Sequence, residues 1–288
     1  MSKPRNLLIL GDSYSQIGAW VTAMAKKLGD VNIVNLGVSS ASLKDREADR
    51  IAYPYSDRPT MEDNSGNHNT IACQIEKLKR LMAGIDLDQG ESPVYQSPAD
   101  YPNVVIIEGG MNDLPDSDET AAAYSQQFVK FVKDVWIKEG YEETVKKGDT
   151  YIKRPLDEVD RTCFAGAYRY LVEELTTLFP QAQFFFTTAS RMGYWFYDIN
   201  AVRDKTAAQQ RDCARLCGAA VIDWNACGGI NTIANSPTGN GTEADPYPQV
   251  IIHGPDTDDA MHPNDRGAKK YGSLAANMIQ LYYLDIDD

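Results

Sequence analysis

Five short apolar runs punctuate the chain: 6–10 (NLLIL), 31–36 (VNIVNL), 103–108 (NVVIIE), 182–188 (AQFFFTT) and 219–223 (AAVID). They are nearly continuous rather than alternating, the pattern of strands buried on both faces. Between them lie amphipathic stretches at 16–28, 70–83, 119–138, 160–178, 200–217 and 265–282 that read as helices. Asp160 is the expected N-cap of the fourth helix and Asn264 of the last, and Pro180 ends the fourth. Strands alternating with helices predict an α/β fold, a three-layer α/β/α sandwich around a central parallel sheet of about five strands.

Four stretches are too long for simple connections: 44–69, 85–102, 139–159 and 228–258. Pro, Gly, Asn, Asp and Tyr dominate the first, second and fourth. Long ordered loops of this kind often form functional walls or lids. With no repeat, no low-complexity segment and no linker, residues 1–288 are expected to form a single domain with inserted loops.

Composition narrows the function classes. The chain has 288 residues, 43% hydrophobic and 24% charged, with a formal net charge of −13. That balance disfavours nucleic acid, whose phosphates call for Lys and Arg, and anionic membrane surfaces. No apolar run approaches the roughly 18 residues of a spanning helix. The start, MSKPRNLLILGDS, lacks the pattern of a signal peptide. The expected location is therefore the cytoplasm, a trimmed secreted form or a phage particle. The five cysteines, 73, 163, 213, 217 and 227, are too scattered for a disulfide framework. Cys213, Cys217, Cys227 and His253 form a minor candidate zinc set, against the commoner fate of buried, inert thiols.

In an open parallel sheet, sites form beyond the carboxyl ends of the strands. After the first strand comes Gly11-Asp12-Ser13-Tyr14-Ser15, after the second Gly37-Val38-Ser39-Ser40, and after the third Gly109-Gly110-Met111-Asn112-Asp113. DDAMHPN, 258–264, precedes the last helix. Ser13 is a weak nucleophile until a base takes its proton. His262 is the expected base, since imidazoles titrate near neutral pH. Asp259, three residues earlier, is spaced to reach Nδ1 of that ring and fix its tautomer. The N–H groups of Ser13 and Gly37 and the amide of Asn112 are candidate donors to an oxyanion. Asp12 and Asp113 read as loop braces, and His68 and His253 as bystanders.

These four blocks resemble the SGNH hydrolase superfamily of GDSL-type esterases: GDSYS, NLGVSS, GMND and DAMHP, in the family's order over residues 7–263. The resemblance implies Ser13, His262 and Asp259 as catalytic residues and Ser13, Gly37 and Asn112 as the oxyanion hole. It also implies a flavodoxin-like α/β/α fold and no metal or organic cofactor. Tyr14 stands where Leu is usual. The literal string SGNH at 65–68 is a coincidence.

The expected function is a serine esterase acting on a small acyl ester, a carbohydrate O-acetylesterase first. The partner is then a small-molecule or glycan ester, with the oligomeric state left open. Polar loops bearing Tyr53, Tyr55, Tyr95, Tyr101 and Tyr247, with RMGYWFYD at 191–198, favour a sugar. Tyr14, Tyr194 and Trp195 are the candidate substrate contacts. Alternatives are a short-chain carboxylesterase or lipase, a non-catalytic glycan-binding relative, and a flavodoxin-like nucleotide binder. The last lacks a Gly- and Thr-rich phosphate loop and leaves His262 without a role.

Overall fold

Leu7, Leu8, Ile9 and Leu10 are all fully buried, because the strand they form is covered on both faces. A computed structural model of the protein describes residues 6–45, 70–85, 91–138, 145–191, 193, 199–232, 234–235, 242–244, 254–259 and 261–284. Five strands, β1 (Asn6–Leu10), β2 (Asn32–Asn35), β3 (Val104–Ile107), β6 (Gln183–Thr187) and β7 (Ala220–Ile222), form one sheet in the order β2-β1-β3-β6-β7. Every pairing is parallel, with Leu7 opposite Val104 and Ile107 opposite Phe186. The chain starts on an interior strand, β1, steps to β2 on one side and then crosses to β3 on the other, so the loops after β1 and β3 are neighbours at the carboxyl ends of the strands.

Side chains alternate across each strand. Leu7, Ile9, Val104 and Ile106 face one layer, formed by α2 (Ala19–Leu28) and α8 (Asp265–Tyr282), with Trp20, Met24, Tyr271 and Ile279. Leu8, Leu10, Val105 and Ile107 face the other, formed by α3 (Ile71–Ala83), α5 (Phe164–Leu178) and α6 (Ile199–Cys217), with Ile75, Leu78, Tyr168 and Leu171. The helices α2 and α8 pack closely. A Cβ on Gly272 would stand 2.4 Å from the Trp20 carbonyl oxygen, so only glycine permits that approach.

The remaining helices are short: α1 (Ser13–Ile17), α4 (Asp118–Ala122) and α7 (Trp224–Cys227). The helix expected over 16–28 starts at Ser13 and is broken by Gly18, whose φ is 73°. Asn264 caps α8 as expected, accepting from the N–H groups of Arg266 and Gly267. Asp160 does not cap α5, which starts four residues later. Its carboxylate instead accepts from Thr162 in a local turn.

The largest departure is at 119–138. Only Asp118–Ala122 is α-helical, followed by a 3-10 turn, Tyr124–Gln127. From Val129 the chain becomes β4 (Val129–Lys138), paired antiparallel with β5 (Val145–Lys153) in a separate two-stranded sheet. The sequence VKFVKDVWIK is rich in β-branched and aromatic residues that favour strands. A bulge between Val132 and Val135, with Asp134 at φ 54°, breaks its alternation and gives it a helix-like spacing. The stretch 139–159, read as loop, therefore contains β5. Tyr95, expected on a loop surface, is buried, and its hydroxyl donates to the Leu7 carbonyl at 3.2 Å.

Candidate functional site

Three loops meet at the carboxyl edge of the sheet, and buried polar groups hold them. At the end of β1, Gln74 from α3 bonds both main-chain groups of Gly11 (2.8 and 2.6 Å). Glu108, at the end of β3, accepts from the Asp12 N–H at 2.9 Å and the Ser15 hydroxyl at 2.8 Å. Asp12 caps α1 by accepting from the Tyr14 N–H at 2.9 Å. Ser13 is thereby the first residue of α1, its N–H without a partner inside the helix. Its Oγ lies 3.0 Å from Nε2 of His262.

His262 is held from its own loop. Its Nδ1 lies 2.7 Å from Asp259 Oδ2. The other carboxylate oxygen of Asp259 accepts from the N–H groups of His262 (2.6 Å) and Met261 (2.9 Å). Burial alone would raise the Asp259 carboxyl, but these bonds outweigh it and hold it below the usual carboxylate range. The loop is anchored below by Asn235, whose Oδ1 accepts from Asp256 and Thr257.

Tyr14, expected as a substrate contact, is turned into the protein. It is buried and its hydroxyl donates to the Met261 carbonyl at 2.6 Å. Its ring meets His262 edge-on at 5.6 Å and stacks on Tyr271. A planar hydroxylated residue at 14 reaches across to the histidine loop, which explains its use there. Tyr194 and Trp195 lie outside the described residues, as do His68, His253, Tyr53, Tyr55 and Tyr247.

In the loop after β3, Asn112 is exposed, and its Nδ2 donates to Ala41 O at 2.9 Å, with Asp12 Oδ2 at 3.5 Å. Asp113 braces the same loop as expected, accepting from the N–H groups of Leu43 and Lys44 at 2.9 and 3.0 Å. Gly110, at φ 98°, lets this turn pass against Gln210, where a Cβ would stand 2.6 Å from Nε2.

Gly37 departs from its expected role. Its N–H donates to Asn35 Oδ1 at 3.1 Å. A Cβ there would lie 2.5 Å from the Ser15 Cβ, so this glycine serves close packing of the β2 loop on α1. Val38, Ser39 and Ala41 N–H groups are also engaged, by Gly11 O, Gln16 Oε1 and Val38 O. The remaining N–H of this loop segment belongs to Ser40, exposed and held at φ 64°, a left-handed conformation rare for serine.

Sequence reasoning also missed Glu108 and Gln74, both fully or almost fully buried. The signal for Glu108 was present: a carboxylate closing the run VVII just before two glycines. Burial raises the pKa of Asp12 well above the ordinary carboxyl value, and the charge of Glu108 adds to it. Burial raises Glu108 as well. The five cysteines are free thiols, and no cluster able to hold a metal occurs among the described residues. No helix among them is long and apolar enough to cross a membrane.

A hydroxyl, an imidazole and a carboxylate thus stand in series beyond the carboxyl ends of a parallel sheet, where open α/β folds place their sites. The chain belongs to the GDSL-like Lipase/Acylhydrolase family, whose profile matches residues 9–270. Among solved structures, a possible lipase from Chitinophaga pinensis DSM 2588 is similar at 10% identity, covering 97% of this chain and 99% of that one, with a TM-score of 0.54. A protein from Lactobacillus plantarum is similar at 14% identity, covering 99% and 100%, with a TM-score of 0.51. An acetyl xylan esterase, AlAXEase, is similar at 14% identity, covering 95% and 99%, with a TM-score of 0.44. The first two similarities speak to the fold. No curated protein matches the chain in sequence.

Proposed function

We propose that this chain is a serine esterase that releases a small acyl group, acetyl on a saccharide, through an acyl-Ser13 intermediate. The observation that carries the reading is the run of contacts from Ser13 Oγ to His262 Nε2 (3.0 Å) and from His262 Nδ1 to Asp259 Oδ2 (2.7 Å). Ser13 Oγ attacks the ester carbonyl while His262 Nε2 takes its proton. Asp259 keeps the Nδ1–H tautomer and stabilises the imidazolium. The oxygen that becomes negative is received by the N–H groups of Ser13 and Ser40 and by Asn112 Nδ2, which gives up its long contact with Asp12 and keeps its bond to Ala41 O. Ser40 replaces Gly37 in this reading because the Gly37 N–H is committed to Asn35. His262 then protonates the leaving alcohol, water attacks the acyl group with the same base, and Ser13 is restored.

The saccharide reading is supported by the polar, Tyr-bearing composition of the long loops and by YWFY at 194–197. A second reading, a short-chain carboxylesterase, is favoured by Leu114, 74% exposed two residues beyond Asn112, an apolar contact for an acyl chain. The test is hydrolysis of p-nitrophenyl acetate, butyrate and octanoate, beside acetate release from acetylated xylan and acetylated sialic acid. Acetate preference and deacetylation of a glycan are expected, both lost in Ser13→Ala. A preference for octanoate removes the deacetylase, and no turnover of any ester leaves a glycan-binding relative.

A further inference from the structure

The hairpin β4–β5 stands outside both cores. Neither strand has a single buried residue. A two-stranded hairpin is marginal in water without a surface to pack on. Yet its root is built firmly: the buried Arg169 of α5 donates to the carbonyls of Gln127 and Arg154, which flank the hairpin. Its Nε donates to Glu173 at 2.8 Å. The Arg154 N–H closes the root on Phe128 O at 3.0 Å. One face, with Val132, Val135 and Ile137, is half-buried; the other is exposed throughout, and an anchored arm with such a bare face is an unfinished interface.

The register places Phe131 opposite Tyr151, ring centroids 5.2 Å apart, and Trp136 opposite Lys147. These share one face with Lys138 and with Lys153, which pairs with Glu173 of α5 at 3.0 Å, while Lys147 stands 3.9 Å from Asp134. Trp136 is 73% exposed and Tyr151 67%. Aromatics beside cations make a strong interface composition. The two strands carry six Lys against two Asp, while the connecting 139–144 adds three Glu. The whole chain has 28 basic residues to 41 acidic. The lysine-bearing face therefore complements the acidic remainder of this same protein. Arm on arm would oppose lysine to lysine, which is unfavourable.

We infer that the 129–153 hairpin is an association arm that lays its Phe131–Trp136–Tyr151 face on the acidic body of a second copy of this chain. Ten residues of strand make an arm about 34 Å long and roughly 10 Å wide. A reciprocal pair of such contacts buries on the order of 1,400 Å², within the range of stable specific interfaces.

Sedimentation velocity of the intact protein in low and in high salt tests this. Wild type is expected to associate, more weakly in high salt, because exposed charge pairs are screened. Trp136→Ser with Tyr151→Ser should weaken association at least about tenfold. Lys138→Glu with Lys147→Glu, which keeps the aromatic face, should do the same. Both variants should retain the wild-type melting transition and unchanged p-nitrophenyl acetate turnover per chain, so that loss of association is not loss of fold. A wild-type protein that stays monomeric in low salt overturns the arm, whether or not an immobilised polyanion retains it. An oligomer indifferent to both variants overturns it equally. The readout is mass, so it stands or falls apart from the esterase reading.

Discussion

The edge that carries Ser13 and the hairpin at 129–153 are built in opposite ways. Around Ser13, four buried polar side chains hold three loops: Gln74 on Gly11, Glu108 on Asp12 and Ser15, Asp113 on Leu43 and Lys44, Gln210 on Gly109. The reacting groups sit half-exposed on that rigid base. The hairpin has the reverse arrangement, with a firm root and bare aromatic faces. The contrast teaches how to read each region. Buried polar networks that are mutually satisfied specify geometry, as chemistry requires. Exposed apolar strands on an anchored root specify a contact that another molecule completes.

The sharpest cut at this contrast is Ser13→Ala. It should lower kcat about 10⁴–10⁶-fold and change stability by less than about 0.5 kcal/mol, because the Oγ is not part of the base. Initial rates and urea unfolding measure the two, and retained turnover within tenfold of wild type would break the site. Asp259→Asn should lower kcat roughly 10²–10⁴-fold with little change in KM, since an amide mis-sets the ring tautomer. An unchanged rate would mean that Ser13 and His262 act alone. Asn112→Ala is expected to cost about 10²–10³ in kcat, and equal losses in substrate binding would argue against an oxyanion role.

On the hairpin side, Arg169→Met leaves two carbonyls without their donor and should lower stability by about 2–3 kcal/mol. Early proteolysis within 124–154 should accompany it, while ester turnover at low temperature survives. The smallest effect concerns Asp12 and Glu108. Burial raises both carboxyls, so the folded protein binds a proton that the unfolded chain has released. Stability from this pair is present below the ordinary carboxylate range and lost as pH rises through the folded values. Asp259, held low, acts in the other direction: its contribution is present above the ordinary value and lost as pH falls below it. Glu108→Gln should therefore flatten the decline of the melting temperature as pH rises above the ordinary carboxylate range. An unaltered slope would show that the pair does not titrate.

Much of the frame was legible in order of residues alone. The five strands fall within a residue or two of the apolar runs, since burial on both faces demands continuous apolar sequence. The Asn264 cap was legible because capping is local. The spacing from Asp259 to His262 was legible for the same reason: three residues of chain limit where a carboxylate and an imidazole can go. The pattern at 129–138 misled because one bulge at Val132–Val135 shifts an alternating strand into a helix-like period. The loop aromatics misled at Tyr95, whose side chain turns inward to a hydroxyl bond with Leu7, and nothing local announced that the Tyr14 hydroxyl would reach Met261.

Residue types, and the chemistry those types can perform, belong to the sequence: a serine, an imidazole, a carboxylate and an amide after the right elements. Direction belongs to the tertiary structure. It decided that the Gly37 N–H turns to Asn35, that Ser40 alone in its loop segment keeps an uncommitted N–H, that Glu108 sits beneath Asp12, and that a hairpin leaves the body. The physical reason is that periodicity and capping act over a few neighbouring residues. A hydrogen bond between residues 13 and 262 is set by how the whole sheet twists and packs its two layers.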